Sequence, residues 1–449
     1  MNALHALADM ARDIGWAALR MGTQPFYYIA VILVMLIWRR QVYVERRLFS
    51  VKLHRPVAGA LITIGAGITA GVAASLVMTA LGSRVTPETV YWLWGLALLF
   101  SLFRIRWMCF AYAAGALGVL QTAASVADGQ ALERLPDVLA RIVHSLQSAH
   151  MPSVLALVAV MHLAEAALIR FHGTGLAMPI FVEGKRGKVV GGYQLQGYWP
   201  VPLLLLVPAS AGALPEGGFA LEWPPLFGGG VDAWAWLAFP AMIGFAEQTT
   251  AFLPKRKARR TSARLAAYGA VLLAAAAAAE YVPWLALPAA CLSVLLHEGL
   301  VLWSRLEESA SPPRYVHGPT GLMVLGVIPG SPAEALGITA GQTIVRVNGV
   351  RVAVKEDLHR ALRQNPAYVK LELADENGEI RFMQRALYAG EHHQLGIILA
   401  PDEDVSYIVE RAERPLSGYV WMKLAGLLRR LPPRAESGKA QRAGNAQGS

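Results

Sequence analysis

Two segments of this chain carry residue types whose spacing could do chemistry. The first is His297-Glu298-Gly299-Leu300-Val301. A zinc hydrolase built on a helix needs two histidines one turn apart, with the intervening glutamate as general base, in the order H-E-x-x-H. Val301 stands where the second histidine is required, and no later Asp-Gly ligand motif follows. The second segment is Gly184-Lys185-Arg186-Gly187-Lys188. It has the glycines and bases of a phosphate loop but not their order, because Val189 follows Lys188 where Ser or Thr would hold magnesium. It reads as a basic loop. Five ionisable residues lie inside apolar runs: His162, Glu165, Glu247, His297 and Glu298. Such groups are costly in a bilayer, and serve transport, a proton relay or hydrogen bonds between helices. The interhelical role is the expectation here. The two cysteines, Cys109 and Cys291, cannot make a disulfide framework or a zinc finger. No catalytic residue, metal-ligand set or cofactor is expected.

The elements that would position these residues are set by composition. Of 449 residues, 55% are hydrophobic and 16% charged, against about 25% charged in soluble domains. This excludes a largely disordered chain and a purely soluble enzyme. The net charge of +10 fits loops facing anionic membrane lipid, with no nucleic acid implied. Near residue 305 the long apolar runs give way to dense charge. The expected fold is a polytopic α-helical membrane domain of about eight or nine spans over 1–305. A small α+β domain follows over 313–403, then a tail over 404–449. Nine candidate spans are 24–38, 57–82, 89–103, 107–125, 153–169, 199–214, 233–253, 264–281 and 283–303, judged against the roughly 20 apolar residues a helical span needs. No cleavable signal peptide is expected, since Arg39-Arg40 follow the first run. Residues 1–23 could be an interfacial helix.

Lys and Arg set the orientation. Loops 39–56, 104–106, 170–198 and 254–263 are basic, whereas 215–232 carries Glu216, Glu222 and Asp232 and no base. Nine spans place every basic loop on one side, so that side is cytoplasmic and the C-terminal domain shares it. The stretch 418–431, with Val420, Leu424, Leu427, Leu428 and Leu431 beside Lys423, Arg429 and Arg430, reads as a basic amphipathic helix. It would lie on the inner membrane surface or pack on the preceding domain.

The C-terminal domain carries the most specific string. Gly321-Leu-Met-Val324 and Val327 lead to Pro329-Gly330-Ser331-Pro332-Ala333, then Gly337-Ile338, Gly341-Gln342-Thr343-Ile344 and Val347-Asn348-Gly349. Ser331 with Pro332 reads as a helix start, and Asn348-Gly349 as a hairpin turn. Lys355–Gln364 reads as a helix with Leu358, Ala361 and Leu362 on one face. Val369, Leu371 and Leu373 alternate as a strand. This pattern resembles the bacterial PDZ family. Such domains bind peptide C-termini by strand addition, with a glycine loop receiving the carboxylate. The usual position for that loop, Tyr315–Thr320, lacks it. A match comes last instead, at Gln394-Leu395-Gly396-Ile397-Ile398, so the domain is expected to be circularly permuted. Lys355, His359 and Leu362 on the helix would complete the groove. The alternative is that Leu395–Leu399 only closes the sheet.

The whole chain, a multi-span domain followed by one PDZ domain without protease residues, resembles the MinJ family of cell-division topological determinants. The local strings Gly187-Lys188-Val189-Val190-Gly191-Gly192 and Trp199-Pro200-Val201-Pro202 also carry the resemblance. It implies a non-enzymatic scaffold at the septum and poles, bridging DivIVA-like and MinD-like partners. A PDZ-regulated intramembrane protease and a transporter with a regulatory PDZ domain are the competing classes.

Overall fold

Proline in the first turn, where a backbone N–H would be unsatisfied anyway, opens five helices of the membrane domain. The structure, a computed structural model, describes residues 3–127, 133–184, 187–209, 225–388, 395–402 and 408–409. Its helices run α1 Ala3–Thr23, α2 Pro25–Phe49, α3 Pro56–Leu81, α4 Pro87–Ser101, α5 Phe110–Ala124, α6 Asp137–Gln147 and α7 Met151–His172. Strands β1 Ala177–Glu183, β2 Val189–Pro208 and β3 Trp234–Thr249 follow, then α8 Pro254–Tyr281 and α9 Ala286–Ala310. Among the described residues, five helices are long and apolar enough to cross a membrane: Pro25–Phe49, Pro56–Leu81, Met151–His172, Pro254–Tyr281 and Pro283–Ala310. The expected spans at 89–103 and 107–125 are helices of only 15 residues each.

The expected helical spans at 199–214 and 233–253 are corrected. As far as they are described, these runs form β2 and β3, which pair antiparallel from Tyr193↔Thr249 to Pro208↔Trp234. The reason is proline. Pro200, Pro202 and Pro208 recur at even positions of β2, and Pro240 faces Pro202 on β3. A helix interior rejects proline, but a strand edge accepts it wherever the missing N–H points away from the ladder. Leu204, in the same even register, donates its N–H to Ser75 Oγ of α3 at 2.9 Å. The outward edge of β2 is therefore relieved by prolines and by one serine. That matters because an open sheet edge is not tolerated in lipid and must be buried in protein. Trp199, Val201, Leu203, Leu205 and Val207 are indeed fully buried. Gly67 and Gly71 of α3 lie directly on the carbonyls of Pro200 and Pro202, so only glycine lets the helix sit this close.

The paired part of β3, 16 residues, is about 50 Å long at ~3.3 Å per residue, enough to run the full length of α3. At one end Phe227 N–H, beyond the strands, donates to Leu81 O at 2.9 Å, and Arg84 ion-pairs Glu280 beside His150. At the other end Gly191 N–H donates to Tyr315 O at 2.9 Å, and Arg106, Lys257 and Arg260 pair with Glu298, Glu308 and Glu307. Helix α1 is present where the sequence suggested one, and its Ala17 packs on Leu206, Trp234 and Trp236 near the closed end of the hairpin.

The C-terminal elements are β4 Leu322–Val327, α10 Pro332–Ala335, β5 Thr343–Val347, β6 Val350–Arg351, α11 Lys355–Gln364, β7 Tyr368–Ala374, β8 Ile380–Ala386 and β9 Ile397–Leu399. The sheet order is β8-β7-β5-β4-β9, with β6 on β5. Local chemistry sets these elements as read. Ser331 caps α10 by accepting from Glu334 N–H, and Asn348 and Gly349 take the positive φ of a tight hairpin turn. Leu322, Val324, Ile344, Leu358, Leu362, Leu371 and Leu373 form the core. The stretch 418–431 lies outside the described residues.

Candidate peptide groove and membrane-domain polar clusters

The last strand, β9, pairs antiparallel with β4 through Val327↔Ile397, Gly326↔Ile398 and Val324↔Leu399. It is the terminal strand of the sheet path among the described residues. Just before it, Gly396 has φ +79°, a conformation that glycine adopts without penalty. Its carbonyl accepts from Ile328 N–H at 2.8 Å, and the Leu395 carbonyl accepts from Ala333 N–H at 2.9 Å. The loop is thus tied to the β4–α10 connection. A Cβ at Gly396 would lie 2.5 Å from Ser331 Oγ, so a side chain there damages the loop itself.

The site residues read from sequence divide by environment. Lys355 and His359 are exposed on α11, and Ile397 is half-buried at the sheet edge. Leu362 and Leu395 belong to the PDZ core. Ile398 points to the opposite face and joins Tyr193, Tyr315 and Leu325 in the core of the membrane domain. Gln394 lies outside the described residues. Asp357 anchors the start of α11: its Oδ2 accepts from the N–H groups of Ala353 at 3.2 Å and Val354 at 3.3 Å. These backbone donors hold its carboxyl below the usual carboxylate range. Val354 at the cap has no side-chain acceptor, so Asp357 alone does the capping.

The PDZ domain is fastened to the membrane domain. Tyr193 of β2 donates its hydroxyl to Leu325 O of β4, and its ring meets that of buried Tyr315 with centroids 5.4 Å apart. Arg314 N–H donates to Thr250 O at 2.8 Å. Gly191, in the family-like string, is required where a Cβ would lie 2.8 Å from Tyr315 Cβ. Between the two parts lies a cleft of about 1480 Å³, whose lining includes Arg106, Lys188, Glu247, Lys257, His317 and Asp402.

The ionisable residues of the apolar runs fall into separate groups. Glu247 accepts from Thr261 Oγ1 at 2.7 Å and Ser304 Oγ at 2.8 Å, with buried Lys257 Nζ 3.7 Å away. Glu298 is committed to Arg106 at 3.0 Å, Trp107 Nε1 at 3.2 Å and the Tyr112 hydroxyl at 3.0 Å. Much of the interhelical hydrogen bonding expected for these residues is therefore present. His297 does not meet a second histidine on its own helix. It meets His162 of α7 and Cys109, which caps α5, with Cys109 Sγ 3.2 Å from His162 Nε2 and 3.7 Å from His297 Nε2. Sequence reasoning missed this group, because its members come from three distant segments and no spacing links them.

A membrane protein with a docked PDZ domain is the class these features define, and comparison with known proteins agrees. Residues 323–374 match the PDZ domain family. The chain is 30% identical over 385 residues to the cell division topological determinant MinJ of Bacillus subtilis (strain 168), covering 84% of this chain and 93% of that relative. It is 25% identical over 372 residues to the probable cell division topological determinants MinJ of Lacticaseibacillus paracasei and Lacticaseibacillus casei (strain BD-II), covering 80% of this chain and 90% of each. The chain belongs to the MinJ family of cell division topological determinants. These relatives are named for a place in division, not for a reaction.

Proposed function

We propose that this protein is a multi-pass membrane scaffold that displays a PDZ groove at the cytoplasmic face and recruits division-site placement proteins there. The observation that carries the reading is the position of β9. It is a short terminal strand whose Ile397 and Leu399 pack on the core that holds Leu358 and Leu362 of α11, preceded by a positive-φ glycine, on a domain fastened to the membrane part. A ligand would add a strand along β9, with Lys355 and His359 above it. The circularly permuted assignment rests on the same topology, because the strand beside the groove comes last in the chain. By family resemblance the partners are DivIVA-like and MinD-like proteins, with anionic lipid at the basic loops. The domain limits proposed are 1–305, 313–403 and 404–449. Orientation survives the correction of two spans, because a hairpin that crosses and returns leaves the parity of the chain unchanged. The basic groups Arg106, Lys257 and Arg260 stay at the PDZ end, which supports a cytoplasmic PDZ domain.

The test is localisation and capture together. A fluorescent fusion of the full chain should concentrate at septa and poles, and crosslinking in membranes should recover DivIVA-like or MinD-like protein. Lys355→Glu with His359→Ala should weaken that recovery while membrane insertion is retained. Uniform membrane distribution, or unchanged recovery with the double variant, would refute the groove reading. A reporter active only outside the cell, fused at residue 440, should be silent.

A further inference from the structure

We propose that Cys109, His162 and His297 form a zinc site inside the membrane domain, holding α5, α7 and α9 together. The tautomers of both imidazoles follow from their partners. His162 Nδ1 lies 2.7 Å from Val158 O, and a carbonyl only accepts, so Nδ1 carries the proton. His297 Nδ1 lies 3.1 Å from the Tyr112 hydroxyl. That hydroxyl spends its own proton on Glu298 Oε1, so it accepts from His297 Nδ1–H. In each ring the bare Nε2 lone pair is left, and both lone pairs point at one sulfur. A thiol has one proton and can serve only one of them. One lone pair can take the thiol proton, and the other is free to donate to a cation that the thiolate also binds.

The spacing fits. Tetrahedral zinc, with Zn–S of about 2.3 Å and Zn–N of about 2.05 Å, places sulfur and nitrogen roughly 3.5 Å apart. The observed 3.2 and 3.7 Å bracket this value, and all three ligand atoms lie within 4.8 Å of one another. One thiolate and two neutral imidazoles suit zinc, which takes Cys and His together. Hydrogen bonds on both Nδ1 atoms are the outer support that metal-binding histidines normally have. Binding releases the Cys109 thiol proton to solvent and involves no redox change. The complex then carries one positive charge. The nearby Arg106 guanidinium is already neutralised by Glu298. Three protein donors leave one position of a tetrahedral ion open.

The experiment uses the full chain purified in detergent, stripped with chelator and titrated with Zn²⁺ or Co²⁺. The wild type should bind one zinc per chain, and zinc should raise its unfolding temperature. Cobalt should give a near-ultraviolet thiolate charge-transfer band. Cys109→Ser should abolish that band, and His162→Ala and His297→Ala should each lower affinity more than tenfold. Tyr112→Phe, which leaves all three ligands in place but removes the hydroxyl that supports His297 and donates to Glu298, should weaken binding about 10–100-fold. Cys291→Ser, which changes the chain's other cysteine, an exposed residue on α9, should change nothing. Failure of the stripped wild type to bind zinc overturns the proposal, whatever the variants do. A charge-transfer band that survives Cys109→Ser, or is lost with Cys291→Ser, overturns it equally.

Discussion

Gly67 and Gly71 of α3 offer a test of the buried hairpin with a control in the same helix. They lie one turn apart and, with Ser75 a further turn on, form the face on which β2 rests. An alanine Cβ at position 71 would sit 2.5 Å from Pro202 O, and one at position 67 closer still to Pro200 O. Ordinary contact begins near 3.4 Å, so Gly71→Ala forces strand and helix about 0.9 Å apart. The obstructing atoms are backbone held in a ladder with β3, and they cannot rotate away. Overpacking of this kind costs about 1–3 kcal/mol. The same retreat stretches the Ser75–Leu204 hydrogen bond, now 2.9 Å, adding about 1 kcal/mol. Even the lower end of that sum, about 2 kcal/mol, is roughly a 30-fold shift in the folded-to-unfolded ratio. The double variant should cost less than the sum, because one retreat relieves both clashes. Gly65 faces outward with nothing within 4 Å of an added Cβ. Gly65→Ala should therefore be neutral or gain about 0.5–1 kcal/mol from helix propensity. The assay is thermal unfolding of the detergent-solubilised chain, followed by tryptophan fluorescence, since Trp199, Trp234 and Trp236 lie in the hairpin. Equal stability of Gly65→Ala, Gly67→Ala and Gly71→Ala would refute a hairpin packed on this face.

Four further outcomes are expected. Gly396→Glu should lower the stability of the PDZ domain as well as its peptide binding, because of the positive φ and the contact with Ser331. Limited proteolysis between β8 and β9 would detect this, and wild-type resistance would contradict it. Glu308 accepts from Thr250 and Ala251 N–H and faces buried Lys257. Glu308→Ala should destabilise by about 3 kcal/mol, by leaving the Thr250 and Ala251 N–H groups without their acceptor and taking one of two carboxylates from Lys257, and chemical denaturation in detergent checks it. Tyr193→Phe removes the hydroxyl bond to Leu325 and should loosen PDZ docking by about 1 kcal/mol, seen as faster amide exchange at the linker 311–316. Asp357 has a folded pKa below its unfolded one. Its contribution is therefore complete above the unfolded value and is lost as pH falls through the folded value. Wild type should lose PDZ stability across that acid window, and Asp357→Asn should show a flatter profile. Parallel profiles would remove Asp357 as the cause.

The PDZ domain was legible in the sequence because its determinants are local. Ser331-Pro332 caps a helix, Asn348-Gly349 turns a hairpin, and Leu358, Ala361 and Leu362 share a helix face. None of these needs a distant partner to be read. The long helices were legible for the same reason, since 20 apolar residues in a row satisfy their own backbone only as a helix. That argument misled at 199–214 and 233–253. An apolar run fully buried on both faces carries no period, so hydropathy alone does not separate helix from strand. The prolines at 200, 202 and 208, all in one register, were the local signal. What made the strands possible was not local: the stripe of Gly67, Gly71 and Ser75, more than a hundred residues earlier, buries and satisfies their edge. The meeting of Cys109, His162 and His297 is likewise a property of the packed bundle. Each residue alone is an unremarkable member of an apolar helix, and only the crossing of three helices turns two imidazole lone pairs onto one sulfur. Sequence by itself determined the elements whose hydrogen bonds close within a few residues. Tertiary structure decided those whose polar groups had to find partners on another segment.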